Sequence, residues 1–287
     1  MNETGTGTRE PTAALRVRGL KKQFVLQRNL MGRTTRVLQA VNGVEFSIQP
    51  GETLALVGES GAGKSTVGRL ALRLIEPDEG SIDILGEDIA GLGQRELRRM
   101  RARATMIFQD PYKSLDPKCQ IRYSLLEPML AQGLNDHDER EQIIAGLMER
   151  VGLSPTYLER FPYEMSGGQL QRVAIARALV TNPEVVVCDE PVAALDMSIR
   201  SHVINLLREL QRERNLAYLF VSHDLSLVRV IADRIAVMRR GEIVECRDSR
   251  ALFEDPQHEY TKQLLSAIPA THPRNRTFRP TPTEAVA

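Results

Sequence analysis

Along the chain, apolar positions switch repeatedly between the two-residue repeat of a strand and the 3.6-residue repeat of a helix. Glu52–Val57 (ETLALV) reads as a short apolar strand running into a glycine-rich loop. Beyond the loop, Val67, Leu70, Ala71 and Leu74 recur at helical spacing. The fixed φ and missing N–H of Pro77 predict that this helix stops before it. Ile143, Ile144, Leu147, Met148 and Val151 mark another helix, with Asn135 or Asp136 available as its cap. Val185–Cys188 and Leu216–Val221 are almost continuously apolar, as expected of strands buried on both faces of a parallel sheet. The helix between them carries Ile199, Val203, Leu206 and Leu210 on one face. Strand–helix–strand alternation predicts an α/β fold. Arg234–Met238 and Glu242–Glu245 flank Arg239-Arg240-Gly241 and predict a hairpin. The chain has no internal repeat.

Composition narrows the function classes. Lys plus Arg number 38 against 37 Asp plus Glu, a net charge of +1 that argues against a protein held on nucleic acid by bulk charge. No apolar run approaches the roughly 18 residues of a membrane span. Residues 1–15 have neither a basic nor an apolar signal region, so no secretory signal is expected. Cys119, Cys188 and Cys246 form no CxxC pair and are expected to be buried, reduced thiols, not a disulfide framework or zinc site. Residues 1–13 read as a disordered lead, and 270–287, with Pro273, Pro280 and Pro282, as a disordered tail. The chain is long enough to bury a large core in one big domain or two smaller ones, which leaves 14–269 as the folded part. The chain is expected in the cytosol, reaching a membrane only through a partner.

Three short stretches carry chemistry. Gly58-Glu59-Ser60-Gly61-Ala62-Gly63-Lys64-Ser65, followed by Thr66, matches G-x-x-x-x-G-K-[ST] between a strand and an amphipathic helix. Its glycines let successive N–H groups face one anion, and the following helix adds its positive end. Lys64 is placed to reach β- and γ-phosphates, and Ser65 to ligate Mg²⁺. Val185–Cys188 ends in Asp189 and Glu190, at the carboxyl edge where α/β sheets bind ligands. There Asp189 can hold Mg²⁺ and Glu190 can polarise an attacking water; a solvated strand end is the plainer alternative. Ser166-Gly167-Gly168-Gln169 opens an apolar helix from Val173 to Leu179, which alone could be a glycine-rich helix start.

In order and approximate spacing, the phosphate loop, Ser166–Gln169, Asp189–Glu190 and Ser222-His223-Asp224 resemble the ATP-binding cassette (ABC) family over about Leu15 to Pro269. The resemblance implies a P-loop ABC ATPase fold. That fold has a RecA-like core, an antiparallel β subdomain, a helical subdomain at about 110–165 and a C-terminal extension at about 246–269. It implies two cassettes facing head to tail, with Ser166, Gly168 and Gln169 touching the γ-phosphate held by the opposite subunit. Gln109 matches the Q-loop, which links Mg²⁺ and water to the transporter contact. Ala194-Leu195-Asp196 matches the dimer-spanning D-loop, although the family more often has Ser at the first position. His223 matches the switch histidine on the γ-phosphate. Phe24 is the candidate for stacking on adenine, with a core strand residue as its alternative, because Val25–Arg36 separates it from the next strand.

Finer likeness lies in Gln109–Pro117, Phe161-Pro162-Tyr163-Glu164 and His258–Leu265 with Ala267-Ile268-Pro269, all similar to the oligopeptide, dipeptide and nickel importer subfamily. Some members carry an iron–sulfur cluster on cysteines of the extension. No cysteine follows Cys246, so no cluster is expected. The implied protein is the Mg-ATP-hydrolysing subunit of a peptide importer, peripheral on the cytoplasmic face of the membrane. Its implied partners are two permeases, a second, paralogous ATPase and, through the complex, an extracytoplasmic binding protein. Nickel, glutathione and opine importers share this ATPase type. A DNA-repair cassette is disfavoured because Gln109–Ser166 is too short for a long coiled coil, and a translation cassette because one cassette is visible. A GTPase would need an N-K-x-D element, which is not found. Intact Glu190 and His223 argue against a binding-only module.

Overall fold

The computed structural model describes residues 12–28, 34–193 and 195–267. Its elements run β1 (Leu15–Arg28), β2 (Thr34–Ile48), β3 (Thr53–Val57), α1 (Lys64–Ala71), β4 (Glu79–Ile84), β5 (Glu87–Asp88), α2 (Gln94–Arg103) and β6 (Ala104–Ile107). A helical stretch follows with α3 (Pro111–Ser114), α4 (Ile121–Ala131), α5 (His137–Arg150), two short 3-10 turns and α6 (Gly167–Leu179). The remainder is β7 (Val185–Asp189), α7 (Met197–Arg214), β8 (Ala217–Val221), α8 (Leu225–Ile231), β9 (Arg234–Arg239), β10 (Glu242–Asp248), α9 (Ser249–Glu254) and α10 (Glu259–Ser266).

The α/β expectation holds, with a division into two sheets. A six-stranded sheet has the order β10-β9-β3-β8-β7-β6, and a four-stranded one has the order β2-β1-β4-β5. In the first, β9, β3, β8, β7 and β6 are parallel, and β10 closes the edge as the antiparallel hairpin partner of β9. The second is antiparallel throughout. Successive side chains on a strand face opposite ways, and the parallel strands bury both faces. Val185, Val187, Leu219 and Val221 join the core shared with the antiparallel sheet and α1. Val186, Cys188, Tyr218 and Phe220 join the core built with α4–α7. That is why these strands read as continuous apolar runs.

Local rules set several ends. Asp136, not Asn135, caps α5, its side chain accepting from Glu139 N–H. Helix α1 stops at Ala71, well short of Pro77: Arg73 turns left-handed at φ 47°, and Arg73 and Leu74 N–H return to Leu70 and Arg69 carbonyls. The described parts of residues 25–36, 25–28 and 34–36, also differ from expectation. Instead of separating Phe24 from the next strand, β1 runs on to Arg28 and pairs with β2, with Phe24 opposite Leu38 and register shifts on either side. Ala13 and Ala14 are already buried, so the core begins inside the expected lead. The rest of that lead, residues 1–11, and the expected tail, 270–287, lie outside the described residues.

Candidate functional site

Gly58–Ser65 links the carboxyl end of β3 to α1. Gly58, Gly61 and Gly63 all have positive φ (151°, 81° and 103°). The requirement is most severe at Gly63, where a Cβ would lie 2.1 Å from the carbonyl oxygen of Ala40. Lys64, Ser65 and Thr66 form the first turn of α1, where N–H groups lack intrahelical acceptors, and no side chain caps them. Apart from the Glu59 and Ala62 N–H groups, which bond to Tyr260 Oη and the Glu59 carbonyl, the loop and this first turn present donors at a helix N-terminus, suited to phosphate oxygens. Lys64 is buried, its Nζ donating to the carbonyls of Gly58 and Glu59 at 2.8 Å each. Burial pushes the ammonium below its ordinary value, against the raising influence of Glu190 and Asp189. A polyanion beside it would relieve that penalty.

The sheet order brings the other candidates to this loop. Strand β8 lies between β3 and β7, and β6 flanks β7, so four strand ends share one edge. Ser65 Oγ donates to Asp189 Oδ1 at 2.7 Å, joining α1 to the tip of β7. Asp189 is 1% exposed. Burial pushes its carboxyl up, opposed by the Ser65 hydrogen bond and the nearby Arg69 guanidinium. A hydroxyl and a buried, incompletely neutralised carboxylate side by side suit a hard divalent cation such as Mg²⁺.

Glu190 follows in a left-handed conformation, φ 48°, with its N–H on the carbonyl of Val221. Its carboxylate is held between two side chains: Gln109 Nε2 donates to Oε2 at 2.7 Å, and His223 Nδ1 lies 2.9 Å from Oε1. Gln109 follows β6 and His223 follows β8, and both are exposed. The structure thus assembles Lys64, Ser65, Asp189, Glu190, Gln109 and His223 into one continuous cluster.

Other candidates sit apart. Ser166 caps α6, accepting from Gln169 N–H at 3.3 Å while Gln169 Oε1 accepts from Ser166 N–H at 2.9 Å. Gln169 Nε2 donates to Tyr157 Oη, so both ends of its amide are engaged locally. Gly167 and Gly168 form the first turn of α6, and Gly168 packs closely enough on Ile199 that a Cβ would lie 3.1 Å from its Cδ1. Among the described residues no hydrogen bond joins Ser166–Gln169 to the phosphate loop. Phe24 is 37% exposed on the antiparallel sheet, which removes the core-residue alternative. Its ring centroid lies 5.8 Å from Lys22 Nζ. Asp196 occupies the N-cap position of α7 with an exposed side chain that makes no capping hydrogen bond; Ala194 lies outside the described residues.

One organiser escaped the sequence reading. Arg200 Nε donates to the carbonyl of Leu195 at 2.7 Å and its Nη2 to that of Ala193 at 3.2 Å, while Nη1 lies 3.8 Å from Asp224 Oδ2. It ties the segment before α7 to the residue after His223. A single arginine on an amphipathic helix carries no mark of that role.

Residues 41–193 match the family described as ABC transporter. Residues 244–286 match the oligopeptide/dipeptide transporter, C-terminal region. The glutathione import ATP-binding protein GsiA of Salmonella paratyphi A is 50% identical over 259 residues, covering 90% of this chain and 42% of that protein. GsiA of Escherichia coli K12 is 51% identical over the same shares. The chain therefore spans less than half the length of the curated relatives it matches. Among solved structures, the ATP-binding cassette MJ0796, a dimer in a post-hydrolysis state bound to ADP and Pi, has a TM-score of 0.73 and 27% identity, covering 82% of this chain and 99% of that one. CbiO1 of Clostridium perfringens, part of the transporter complex cbiONQ, has a TM-score of 0.71 and 26% identity, covering 85% of this chain and 92% of that one.

Proposed function

The chain belongs to the ABC transporter family, and on that premise we propose that it binds and hydrolyses ATP to drive an importer from the cytoplasmic face of a membrane. The observation that carries this reading is Glu190, held between Gln109 and His223 and adjoining the Ser65–Asp189 pair. The loop Gly58–Ser65 and Thr66 present N–H groups to the phosphates, and Lys64 exchanges its two carbonyl partners for β- and γ-oxygens. Ser65 and Asp189, with Gln109, would hold Mg²⁺, which when bound neutralises charge on the phosphate oxygens. Glu190 orients a water and takes its proton as the water oxygen attacks the γ-phosphorus. The bond to the β–γ bridging oxygen breaks, and ADP leaves with its electron pair. Gln109 and His223 fix the carboxylate's direction, and His223 is the further candidate for the γ-phosphate.

Residues 14–269 form the cassette, with a helical subdomain at about 110–165 and an extension at about 246–269. Ser166–Gln169 and Asp196 serve a second cassette across a head-to-tail dimer, which is why Ser166–Gln169 makes no hydrogen bond to its own phosphate loop. MJ0796, solved as a dimer, supports the pairing of two cassettes. That second cassette is a paralogous subunit, and the pair works with two permeases and an extracytoplasmic binding protein. No described helix is long and apolar enough to cross a membrane, so attachment runs through the permeases. Phe24, exposed on β1, remains the proposed adenine contact.

The cargo is a peptide. The match to the oligopeptide/dipeptide transporter C-terminal region supports this, and similarity to GsiA favours glutathione, itself a tripeptide, as the specific second reading. Uptake of labelled dipeptide, oligopeptide and glutathione is compared in cells lacking the chain and in cells complemented with wild type or Glu190→Gln. Uptake of one of these by wild type only supports the reading. Uptake equal in all three strains would refute it.

A further inference from the structure

The phosphate loop is also gripped from the far end of the chain. Glu59 N–H donates to Tyr260 Oη on α10 at 3.1 Å. Tyr260 is 4% exposed and packs in a core with Ala55 and Val57 of β3 and Val237 of β9. The Arg239 guanidinium covers its ring, 4.8 Å from the centroid. The turn into α10 is seated by Glu245, a buried residue of β10 whose two oxygens accept from Gln257 N–H at 2.9 Å and His258 N–H at 3.0 Å. His258 Nδ1 then accepts from Tyr260 N–H. The hydroxyl that meets the loop thus stands on an anchored helix start.

Glu59 is held from two directions. Its N–H goes to Tyr260, and its carbonyl accepts from Lys64 Nζ at 2.8 Å. Glu59, Ser60 and Gly61 are otherwise exposed at the tip of the loop. A glycine-rich loop held at its first turn loses less conformational freedom when it closes on an anion than one that is free.

We propose that Tyr260 is a positioning residue for the phosphate loop, through which α10, the last of the described helices, sets nucleotide affinity. By linkage, nucleotide binding must tighten the seating of α10 by the same factor that a seated α10 tightens nucleotide binding. The inference rests on the reading of Gly58–Ser65 as the nucleotide loop and gives the extension a role in it.

Tyr260→Phe in the full chain tests it, because phenylalanine keeps the ring, the Arg239 contact and the core packing and removes only the hydroxyl. Titration with a fluorescent ATP analogue is expected to show affinity about three- to tenfold weaker than wild type, the range of one neutral hydrogen bond. The thermal midpoint without nucleotide should stay close to wild type. Hydrogen exchange gives a second reading: ATP should slow exchange at the Glu59 amide and across α10 in wild type, and the α10 protection should shrink in the variant. Wild-type binding with unchanged affinity in Tyr260→Phe, or wild-type α10 exchange that ignores ATP, overturns the coupling alone. Failure of wild type to bind the analogue overturns the loop assignment beneath it.

Discussion

Replacing Glu190 with Gln should leave ATP binding intact and remove most hydrolysis. Both carboxylate oxygens are engaged, one by Gln109 Nε2 at 2.7 Å and the other by His223 Nδ1 at 2.9 Å. An amide fits the same space. Its oxygen can accept from Gln109, and its NH₂ can donate to His223 Nδ1 in the acceptor tautomer. The structural cost is two charge-assisted hydrogen bonds exchanged for neutral ones, about 1 kcal/mol each. What disappears is the ability to take a proton from water, which typically contributes about 10²–10⁴ in rate, or about 2.7–5.4 kcal/mol of barrier. Removing a negative charge lessens repulsion of the triphosphate, so ATP affinity should hold or rise. Phosphate release at saturating ATP measures turnover, and titration with a fluorescent analogue measures affinity. Turnover within about tenfold of wild type, with ATP bound, would refute Glu190 as the base. Loss of binding together with turnover would instead make Glu190 a structural residue of the β7 end.

Lys64→Ala should weaken nucleotide binding itself by about 1.5–3 kcal/mol, the value of a hydrogen bond to a charged group; unchanged affinity by calorimetry would count against the loop assignment. Two loop glycines should part company in chemical denaturation. Gly61→Ala meets open space and carries only the left-handed penalty of about 1–2 kcal/mol, whereas Gly63→Ala also drives a methyl into the Ala40 carbonyl and should be clearly less stable and unable to bind nucleotide. Thiol alkylation read by mass spectrometry should modify Cys119 and Cys246, which are half-buried and not fully buried as expected, well before Cys188. Cys188 is fully buried in β7, where desolvation pushes its thiol far above the ordinary value, and it should react only after unfolding.

Signals that live within a few residues were legible in the sequence. Continuous apolar runs identified β3, β7 and β8, because strands of a parallel sheet are buried on both faces. Gly58–Ser65 was legible because only glycines permit its backbone, and Ser166 because an N-cap needs a short side-chain acceptor. The roles of Gln109 and His223 came from resemblance, and residue spacing alone does not say that they meet. Residues 81 and 33 positions from Glu190 converge on its two oxygens only because β8, β7 and β6 are neighbours in the sheet. That order is set by how crossover helices pack, which no local pattern encodes. For the same reason, β1 and β2 extend past Phe24 by pairing with each other in a stretch whose apolar pattern marks no element. Arg200 and Tyr260 likewise look like ordinary members of amphipathic helices. Their partners, the backbone before α7 and the N–H of Glu59, become accessible only when those helices dock, since main-chain donors and acceptors have no sequence signature and their exposure is decided by tertiary packing.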